Sequence, residues 1–397
     1  MDCSKNKVFN TIGICGSGKM GVSFFNFIVQ FDFDIVFYIR NKEKLQKIQK
    51  LYEKRKFYKI VTFANELTCL SDCDIVFEFV SEDLEVKKKI IEALLMQRRN
   101  INQIIASGSS THVPSRICSE QYIRSCIGVH FIYPVQYVKT AEVVCGIQTS
   151  SETVDKIKKL LLSLGKKPVI VSEEVGTFTI KIMTAAQNEA FNIVEELHIL
   201  PRHIDTIVAS HNLMLPPFEL CDSIGLEIIL NGIEGQYYGK EADGSYLGFE
   251  KCLEKMVASG CLGKKNGKGF FNDMEHTYCK KPCDPEEIDE SLIYDRIKLA
   301  YINSCLRIID NAWLEITEID SAMCEVYQSP TGPIAFLFKT GPKEILNMLE
   351  ELSGRYGNNF EPPKVLRYIV NNNIRSDEID RQIRLFKVGG TRPDWHN

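Results

Sequence analysis

The spacing of apolar and polar positions changes once along the chain. Apolar runs of strand length occur at 7–15, 34–39, 58–63, 74–80, 102–106, 126–132 and 168–171. Several of the intervals have a helical pattern, including 20–31, 84–98 and 151–164. Alternating strands and helices are typical of a mostly parallel, doubly wound sheet. We therefore predict one α/β domain over residues 1–172.

Beyond residue 172 the pattern predicts helices. Long helical segments begin at 177 and at 291, and no later run has a convincing strand pattern. The polar stretch at 279–287 contains two prolines and is typical of a linker. We predict a first helical domain at 173–281 and a second at 282–397. The expected fold class is thus α/β plus all-α.

The two helical regions resemble each other. In each, an Ile-Asp pair precedes a proline, and a glycine follows eight residues after it. These positions are Ile204-Asp205, Pro217 and Gly225 in the first region, and Ile319-Asp320, Pro333 and Gly341 in the second. We interpret this as an internal duplication of one helical unit. The alternative is a chance similarity between two amphipathic segments.

Composition and charge exclude several classes of protein. The 397 residues carry a net charge of −4, which is no nucleic-acid signature. No apolar run reaches the roughly 18–20 residues that span a bilayer, and the N-terminus lacks the pattern of a secretory signal. The 14 cysteines are scattered, which predicts reduced thiols in a cytoplasmic protein. His276, Cys279 and Cys283 lack a second ligand pair at zinc-site spacing, so we predict no metal.

A glycine-rich loop follows the first predicted strand. In "GICGSGKMG" the pattern G-x-G-x-x-G falls on Gly16, Gly18 and Gly21, with Ser17, Lys19 and Met20 between them. Such glycines allow a tight turn, close approach of the backbone to a pyrophosphate, and close packing of helix on strand. The N-terminus of the following helix favours an anion. The loop predicts a Rossmann-like domain that binds NAD or NADP.

The end of the second strand bears on which dinucleotide binds. An acid there normally accepts hydrogen bonds from the adenine ribose of NAD, but this chain has Ile39 followed by Arg40. A planar guanidinium pairs well with phosphate, so Arg40, with Lys19 in the loop, favours the 2′-phosphate of NADP. The alternative is that Arg40 is a solvated surface residue and NAD binds less tightly.

Six segments together resemble the 3-hydroxyacyl-CoA dehydrogenase family, and the resemblance covers most of the chain. They are "GSGKMG" (16–21), "DIVFEFVSEDLEVKKKI" (74–90), "ASGSST" (106–111), "GVHFIYPVQYVKTAEVV" (128–144), "PPFELCDSIGL" (216–226) and "LGKKNGKGFF" (262–271). Two tandem helical units are similar to the dehydrogenase part of multifunctional fatty-acid oxidation enzymes. There the second copy takes the place of a dimer partner's helical domain. The resemblance implies that one chain can be self-contained as a monomer.

The resemblance assigns roles to five residues. It makes His130 the general acid/base for the 3-hydroxyl proton and Glu142 the carboxylate that orients and charges its imidazole. Ser110 matches the hydroxyl that binds the substrate oxygen. Glu82 and Lys87 match residues near the nicotinamide-side ribose and the nucleotide.

This chain departs from the family pattern at three polar positions. Gly108 and Tyr133 each stand where the family has an asparagine, and Ile180 occupies the place of an asparagine that polarises the substrate oxygen. Isoleucine cannot donate that hydrogen bond.

The chain is also short between Ile39 and Cys73, where the family has a helical hairpin that holds CoA. The lysine-rich helix predicted at 41–59 could meet a phosphate of CoA or NADP, or could be a solvated face.

The sequence therefore predicts a nicotinamide-dependent oxidoreductase. It would interconvert a 3-hydroxyacyl and a 3-ketoacyl thioester, with an acyl-CoA as its small-molecule substrate and no nucleic-acid or membrane partner. Two alternatives stay open. One is a non-catalytic family member with a binding or regulatory role, and the other is a dehydrogenase of a small hydroxy acid without CoA.

Overall fold

The computed structural model describes residues 8–54, 60–173, 176–236, 246–271, 288–311, 314 and 316–387. The chain divides into two compact units, the first ending at Thr177 and the second covering Phe178–Thr391. The predicted boundary after residue 172 lies just before this division. Three features predicted from the sequence lie outside the described residues. They are the linker at 279–287, the boundary at 281/282 and the cluster of His276, Cys279 and Cys283.

The first unit is built on an eight-stranded sheet with strand order β3-β2-β1-β4-β5-β6-β7-β8. The strands are β1 (Thr11–Cys15), β2 (Asp34–Tyr38), β3 (Val61–Ala64), β4 (Ile75–Glu78), β5 (Ile104–Ser107), β6 (Cys126–Phe131), β7 (Thr140–Cys145) and β8 (Lys167–Ser172). The strand order reverses between β1 and β4, as in dinucleotide-binding sheets. The doubly wound fold is thereby confirmed.

One strand is absent from the sequence prediction. β7 pairs with β6 in antiparallel fashion and with β8 in parallel fashion, whereas the other pairs are parallel. All six residues of β7 are buried, so it lacks the alternation of a half-exposed strand. Its central Glu142 also interrupts the apolar run, because a charged residue is depleted in strands.

Helices flank this sheet on the connections between strands. They are α1 (Lys19–Ile28), α2 (Lys42–Lys54), α3 (Leu84–Gln97), α4 (Pro114–Ile117) and α5 (Ser151–Ser163). The core between α1 and the sheet is rich in phenylalanine, with Phe24 in ring contact with Phe77, Phe79 and Phe131. The lysine-rich α2 buries none of its residues, and residues 55–59 of that predicted helix lie outside the described residues.

The second unit is helical throughout its described part. Its helices are α6 (Phe178–Leu197), α7 (Pro201–Ser210), α8 (Pro217–Ile224), α9 (Leu226–Gln236), α10 (Leu247–Ala258), α11 (Glu290–Asn311), α12 (Ile316–Tyr327), α13 (Pro333–Thr340), α14 (Pro342–Tyr356), α15 (Lys364–Asn371) and α16 (Ile379–Phe386). The long helices α6 and α11 pack against each other.

The two halves of this unit share a local design. Asp205 accepts hydrogen bonds from the backbone N–H groups of Phe218 and Glu219 at the start of α8, at 3.0 and 2.8 Å. Asp320 likewise accepts from the N–H of Ile334 at the start of α13, at 2.7 Å. Both helices end at a glycine of positive φ, +116° at Gly225 and +108° at Gly341. These shared features favour the predicted duplication, whose domain boundaries stay a prediction.

The cysteines differ in one respect from the expectation of reduced thiols. Cys118 and Cys126 are joined by a disulfide, and both are buried in the same core cluster. They flank the 3₁₀ turn Glu120–Ser125, which brings them together. The other nine cysteines that the structure describes are free.

Among the described residues, no helix is long and apolar enough to cross a membrane. In the same part of the chain, no group of three or more His, Cys, Asp or Glu side chains could hold a metal ion.

Candidate active site

The glycine loop joins β1 to α1 with the geometry that its sequence predicts. Gly16 has φ +110°, and a Cβ there would lie 2.5 Å from the carbonyl oxygen of Phe79. A Cβ on Gly21 would lie 2.0 Å from the carbonyl oxygen of Gly16, so the helix packs close to the turn. A Cβ on Gly18 would meet nothing within 4 Å. Gly16 and Gly21 are thus required by the fold, whereas Gly18 leaves space for a ligand.

The first turn of α1 is suited to an anion. Gly18 is the N-cap and offers no side-chain cap, and the first turn has no acidic residue. Its N–H groups are therefore left for a ligand such as a pyrophosphate. Met20 packs on the core, while Ser17 is partly exposed. Lys19 is exposed, and its ammonium lies 4.2 Å from the centroid of the Tyr133 ring.

The end of β2 has no acid that could bind a ribose. Ile39 is fully buried in the core, and its N–H donates to the carbonyl of Ala64 at 2.9 Å. Arg40 beside it is exposed. The isoleucine is therefore part of the packing, and Arg40 is the residue here that can reach a ligand.

His130 and Glu142 face each other across two antiparallel strands. They are direct cross-strand partners of β6 and β7, and His130 Nδ1 lies 2.6 Å from Glu142 Oε2. Glu142 is fully buried and His130 is 6% exposed. The sheet register therefore places a carboxylate against one ring nitrogen and leaves the other for a reacting proton.

Ser110 completes a chain of three residues. Its Oγ lies 3.3 Å from His130 Nε2. Its backbone N–H donates to Glu82 Oε1 at 2.9 Å, and its carbonyl accepts a hydrogen bond from the Thr177 hydroxyl. The serine is thus fixed from both sides, with its hydroxyl beside the imidazole. The structure brings together the three residues that the sequence predicts to be catalytic.

Glu82 organises the segment after β5. Its Oε1 accepts from the N–H and the hydroxyl of Thr111 at 3.0 and 2.9 Å, and also from the Ser109 hydroxyl. Burial opposes ionisation of Glu82, but the Lys87 ammonium and these hydrogen bonds outweigh it and lower its pKa. Glu82 is therefore a carboxylate that holds the Ser109–Thr111 turn in place.

Lys87 lies between two carboxylates and is 1% exposed. Its Nζ is 3.1 Å from Glu78 and 3.2 Å from Glu82. Burial disfavours its charge, yet the two carboxylates raise its pKa above the ordinary value. A lysine in this position orients Glu82 and has little surface to offer a nucleotide. Its predicted contact with the nucleotide stays a prediction.

Glu78 is a site residue that the sequence analysis missed. It ends β4 and is fully buried. It pairs with Lys87 and accepts a hydrogen bond from the Ser107 hydroxyl at 2.6 Å. Its signal was a single charge inside the apolar run "IVFEFV", which a buried strand tolerates only when that charge is paired.

The structure gives a steric reason for glycine at 108. A Cβ there would lie 2.4 Å from the Phe79 ring. Phe79 is buried and packs on Phe24 and Phe131. The aromatic ring thus fills the space that a side chain at position 108 would need. Ile180 lies in the helical unit, where its Cγ2 is 3.3 Å from the place of a Cβ on Gly232.

These features define a class of protein. The sheet order, the glycine loop and the buried histidine–carboxylate pair are those of a dinucleotide-binding oxidoreductase domain. Two family models match consecutive parts of the chain: "3-hydroxyacyl-CoA dehydrogenase, NAD binding domain" over residues 11–175, and its "C-terminal domain" over residues 176–273. The chain belongs to the 3-hydroxyacyl-CoA dehydrogenase family. The resemblance noted in the sequence is confirmed.

Individual proteins that are similar to this chain have names consistent with this family. A probable 3-hydroxybutyryl-CoA dehydrogenase of Deinococcus radiodurans is 29% identical over 280 residues, covering 65% of this chain and 98% of the relative. A fatty acid oxidation complex subunit alpha of a Shewanella species is 22% identical over 79% of this chain, which spans only 46% of that relative. The crystal structure of 3-hydroxybutyryl-CoA dehydrogenase from Escherichia coli K12 matches with a TM-score of 0.74 and 21% identity. It covers 91% of this chain and 98% of that one, which establishes the fold.

Proposed function

We propose that this chain is a nicotinamide-dependent oxidoreductase that interconverts a 3-hydroxyacyl and a 3-ketoacyl thioester. The observation that carries the proposal is the contact chain from Ser110 Oγ to His130 Nε2 and from His130 Nδ1 to Glu142, inside a domain of the matching family. A bound nicotinamide would supply the acceptor or donor of hydride. The protein supplies the proton transfer and the orientation of the substrate.

Each of the three residues has a distinct part in that transfer. His130 Nε2 is the atom that takes the proton of the 3-hydroxyl group, or returns it in the reductive direction. Glu142 accepts a hydrogen bond from Nδ1–H, fixes that tautomer and stabilises the imidazolium that forms. The Ser110 hydroxyl donates a hydrogen bond to the substrate oxygen and keeps its proton. The intact chain of contacts favours catalysis over a purely regulatory role, because binding alone needs no acid–base pair.

An acyl-CoA is the substrate we propose, by similarity to the named relatives. In its described residues, the connection between β2 and β4 holds α2, β3 and the short turn Leu67–Leu70, which is less than the helical hairpin expected for CoA. This observation favours the second candidate, a small hydroxy acid without CoA. Turnover of acetoacetyl-CoA and of free acetoacetate, compared at equal concentration, separates the two.

For the cofactor, the matching NAD binding domain favours NAD, and NADP is the narrower alternative. Arg40, which is exposed just beyond β2, would pair with a 2′-phosphate. Tighter binding of NADPH than of NADH would support a pairing of Arg40 with the 2′-phosphate. Tighter binding of NADH would contradict that pairing.

We also propose that the protein is a monomer, because the second helical half packs on the first within one unit. A sedimentation-velocity measurement of the purified chain tests this directly, and a dimer would contradict it. The cytoplasmic location expected from the sequence stays a prediction.

The central experiment has two stages. Fluorescence titration with NADH and NADPH first asks whether either dinucleotide binds. If neither binds, the proposed oxidoreductase function is wrong. Reduction of acetoacetyl-CoA is then compared for the wild type, His130→Gln and His211→Gln. His211 is exposed in the helical unit, so its variant should keep wild-type turnover. Equal turnover in the His130 variant would remove this histidine from the mechanism.

A further inference from the structure

The position of Lys19 is unusual for a lysine. It is the first residue of α1, and the first turn contains no acidic residue. A cation at a helix N-terminus is opposed by the helix dipole, so the fold gains nothing from a charge there. An anionic ligand would reverse that balance, and the adjoining glycine loop is the proposed pyrophosphate site. The contact of Lys19 with Tyr133 shows where its ammonium is held.

The segment that carries Tyr133 is fixed to α1 by two buried residues. The N–H of Val135 donates to the hydroxyl of Ser23 at 3.1 Å. Lys166 donates to the carbonyls of Val135 and Val138, and its ammonium lies 4.3 Å from the centroid of Phe27. Ser23 and Phe27 both belong to α1. The Tyr133 ring therefore has a defined place beside the start of α1, although 48% of the residue is exposed.

The strand order shows on which side of β1 the contact between Lys19 and Tyr133 lies. In the sheet, β2 lies on one side of β1, whereas β4, β5 and β6 lie on the other. Arg40 follows β2, and Tyr133 follows β6. Lys19 is therefore held on the β6 side. A 2′-phosphate on the adenine ribose is recognised beyond the end of β2, on the opposite side from the Tyr133 ring.

We infer that Tyr133 is a positioning residue that holds Lys19 over the pyrophosphate, the part that NAD and NADP share. An ammonium against a ring face keeps N–H donors free for a phosphate. Lys19 then strengthens the binding of NAD and of NADP by the same factor. Of these two basic residues, only Arg40 distinguishes NADP from NAD. This inference rests on the proposed function. It also replaces the expectation that Lys19 and Arg40 act together on a 2′-phosphate.

The test measures Kd for NADH and for NADPH with the full chain and single variants. Lys19→Met should weaken both by the same factor, on the order of tenfold, as for loss of a charged hydrogen bond. Tyr133→Leu should weaken both about two- to fivefold, the size of an exposed cation–π contact, and Tyr133→Phe should restore wild-type binding. Arg40→Gln should change the ratio of the two constants.

The matched control is Tyr137→Leu, in the same segment. Tyr137 is 77% exposed, so this variant should bind both cofactors like the wild type. Thermal unfolding of every variant checks that the fold is kept. If the wild type binds neither dinucleotide, the proposed function fails. If it binds and Lys19→Met changes the ratio of the two constants, the inference fails while the function stands. Unchanged or tighter binding by Tyr133→Leu would likewise overturn the role of Tyr133.

Discussion

At the scale of single residues, the departures from the family pattern have different physical causes. Position 108 has a glycine because the Phe79 ring occupies the volume that a side chain there would need. Ile39 is a core residue with no solvent exposure. Tyr133 supplies a ring face to Lys19. These three replacements each fit their surroundings in this chain, which favours adaptation of the site over its loss, and nothing in the structure explains the isoleucine at 180.

The Phe79–Gly108 pair makes the first prediction. Gly108→Asn should lower the free energy of unfolding by about 1–3 kcal/mol, because its Cβ would collide with a ring in a packed core. Phe79→Ala makes room for that side chain. The double variant should therefore be more stable than the sum of the two single effects predicts. A double-mutant cycle of free energies of unfolding, measured by urea unfolding, gives the coupling, and additive effects would contradict the steric account.

The second prediction concerns Glu142, the carboxylate that contacts His130. In Glu142→Gln the side-chain amide can donate to Nδ1, which moves the imidazole proton to Nε2, the atom that must accept the substrate proton. We expect kcat to fall on the order of a hundredfold or more, the usual contribution of general acid–base catalysis, with little change in KM. Glu85→Gln, at a 67% exposed side chain, is the control. A pH–rate profile identical to the wild type would exclude this role for Glu142.

At the scale of elements, carboxylates at helix starts hold the helical unit together. Asp205 caps α8 from α7, and Asp320 caps α13 from α12. Burial raises the pKa of Asp205 to about 7 and also raises that of Asp320. These caps are neutral acids over part of the acidic range, which links the stability of the unit to pH.

The third prediction follows from the sign of that link. The folded state keeps the Asp205 proton up to about pH 7, whereas the unfolded chain loses it near pH 4. Between these values the folded state binds more protons, so this group makes the free energy of unfolding fall as pH rises. The slope is at most about 1.4 kcal/mol per pH unit. Below and above this window its contribution is constant.

Asp205→Asn removes this dependence because an amide does not titrate. The stability advantage of the wild type over the variant, measured by urea unfolding, should be larger at pH 5 than at pH 8. Asp320→Asn should show the same direction. An advantage of the same size at pH 5 and pH 8 would contradict this account, because Asp205 would then be ionised in the folded state over the whole interval.

The elements also show how far the sequence could be interpreted. Runs with one clear period gave the parallel strands and the long helices, and the glycine spacing gave the loop. β7 was missed because burial on both faces removes the alternation and Glu142 interrupts the run. Glu78 was missed because its partner Lys87 lies nine residues away on the next helix. Such pairs depend on strand register and helix docking, which local periodicity does not encode.

At the scale of the whole molecule, one buried arginine ties the two helical halves. Arg296 on α11 contacts Glu189 and Glu196 on α6 at 2.6 Å each. Its guanidinium carbon lies 3.9 Å from the centroid of Tyr356 on α14. The arginine side chain is 3% exposed. The first and second halves of the helical unit thus share one charged network.

Arg296→Met should therefore destabilise the protein strongly. The substitution keeps the apolar stem but leaves Glu189 buried without its partner, and loss of one member of a buried ion pair costs about 3–5 kcal/mol. Arg367→Met is the matched control, since its pair with Glu350 is half exposed and such pairs contribute about 0–1 kcal/mol. The measurement is urea unfolding followed by circular dichroism.

The double variant Arg296→Met/Glu189→Met separates the ion pair from the packing. If the cost arises from the uncompensated carboxylate, the double variant should recover much of the stability lost in Arg296→Met, because both charges are then gone. If the single arginine variant is no less stable than Arg367→Met, the network does not join the halves, and their association must come from the apolar contacts of α6 and α11. Sedimentation of the same variants then shows whether halves that are joined less firmly begin to pair between chains, which the proposed monomer excludes for the wild type.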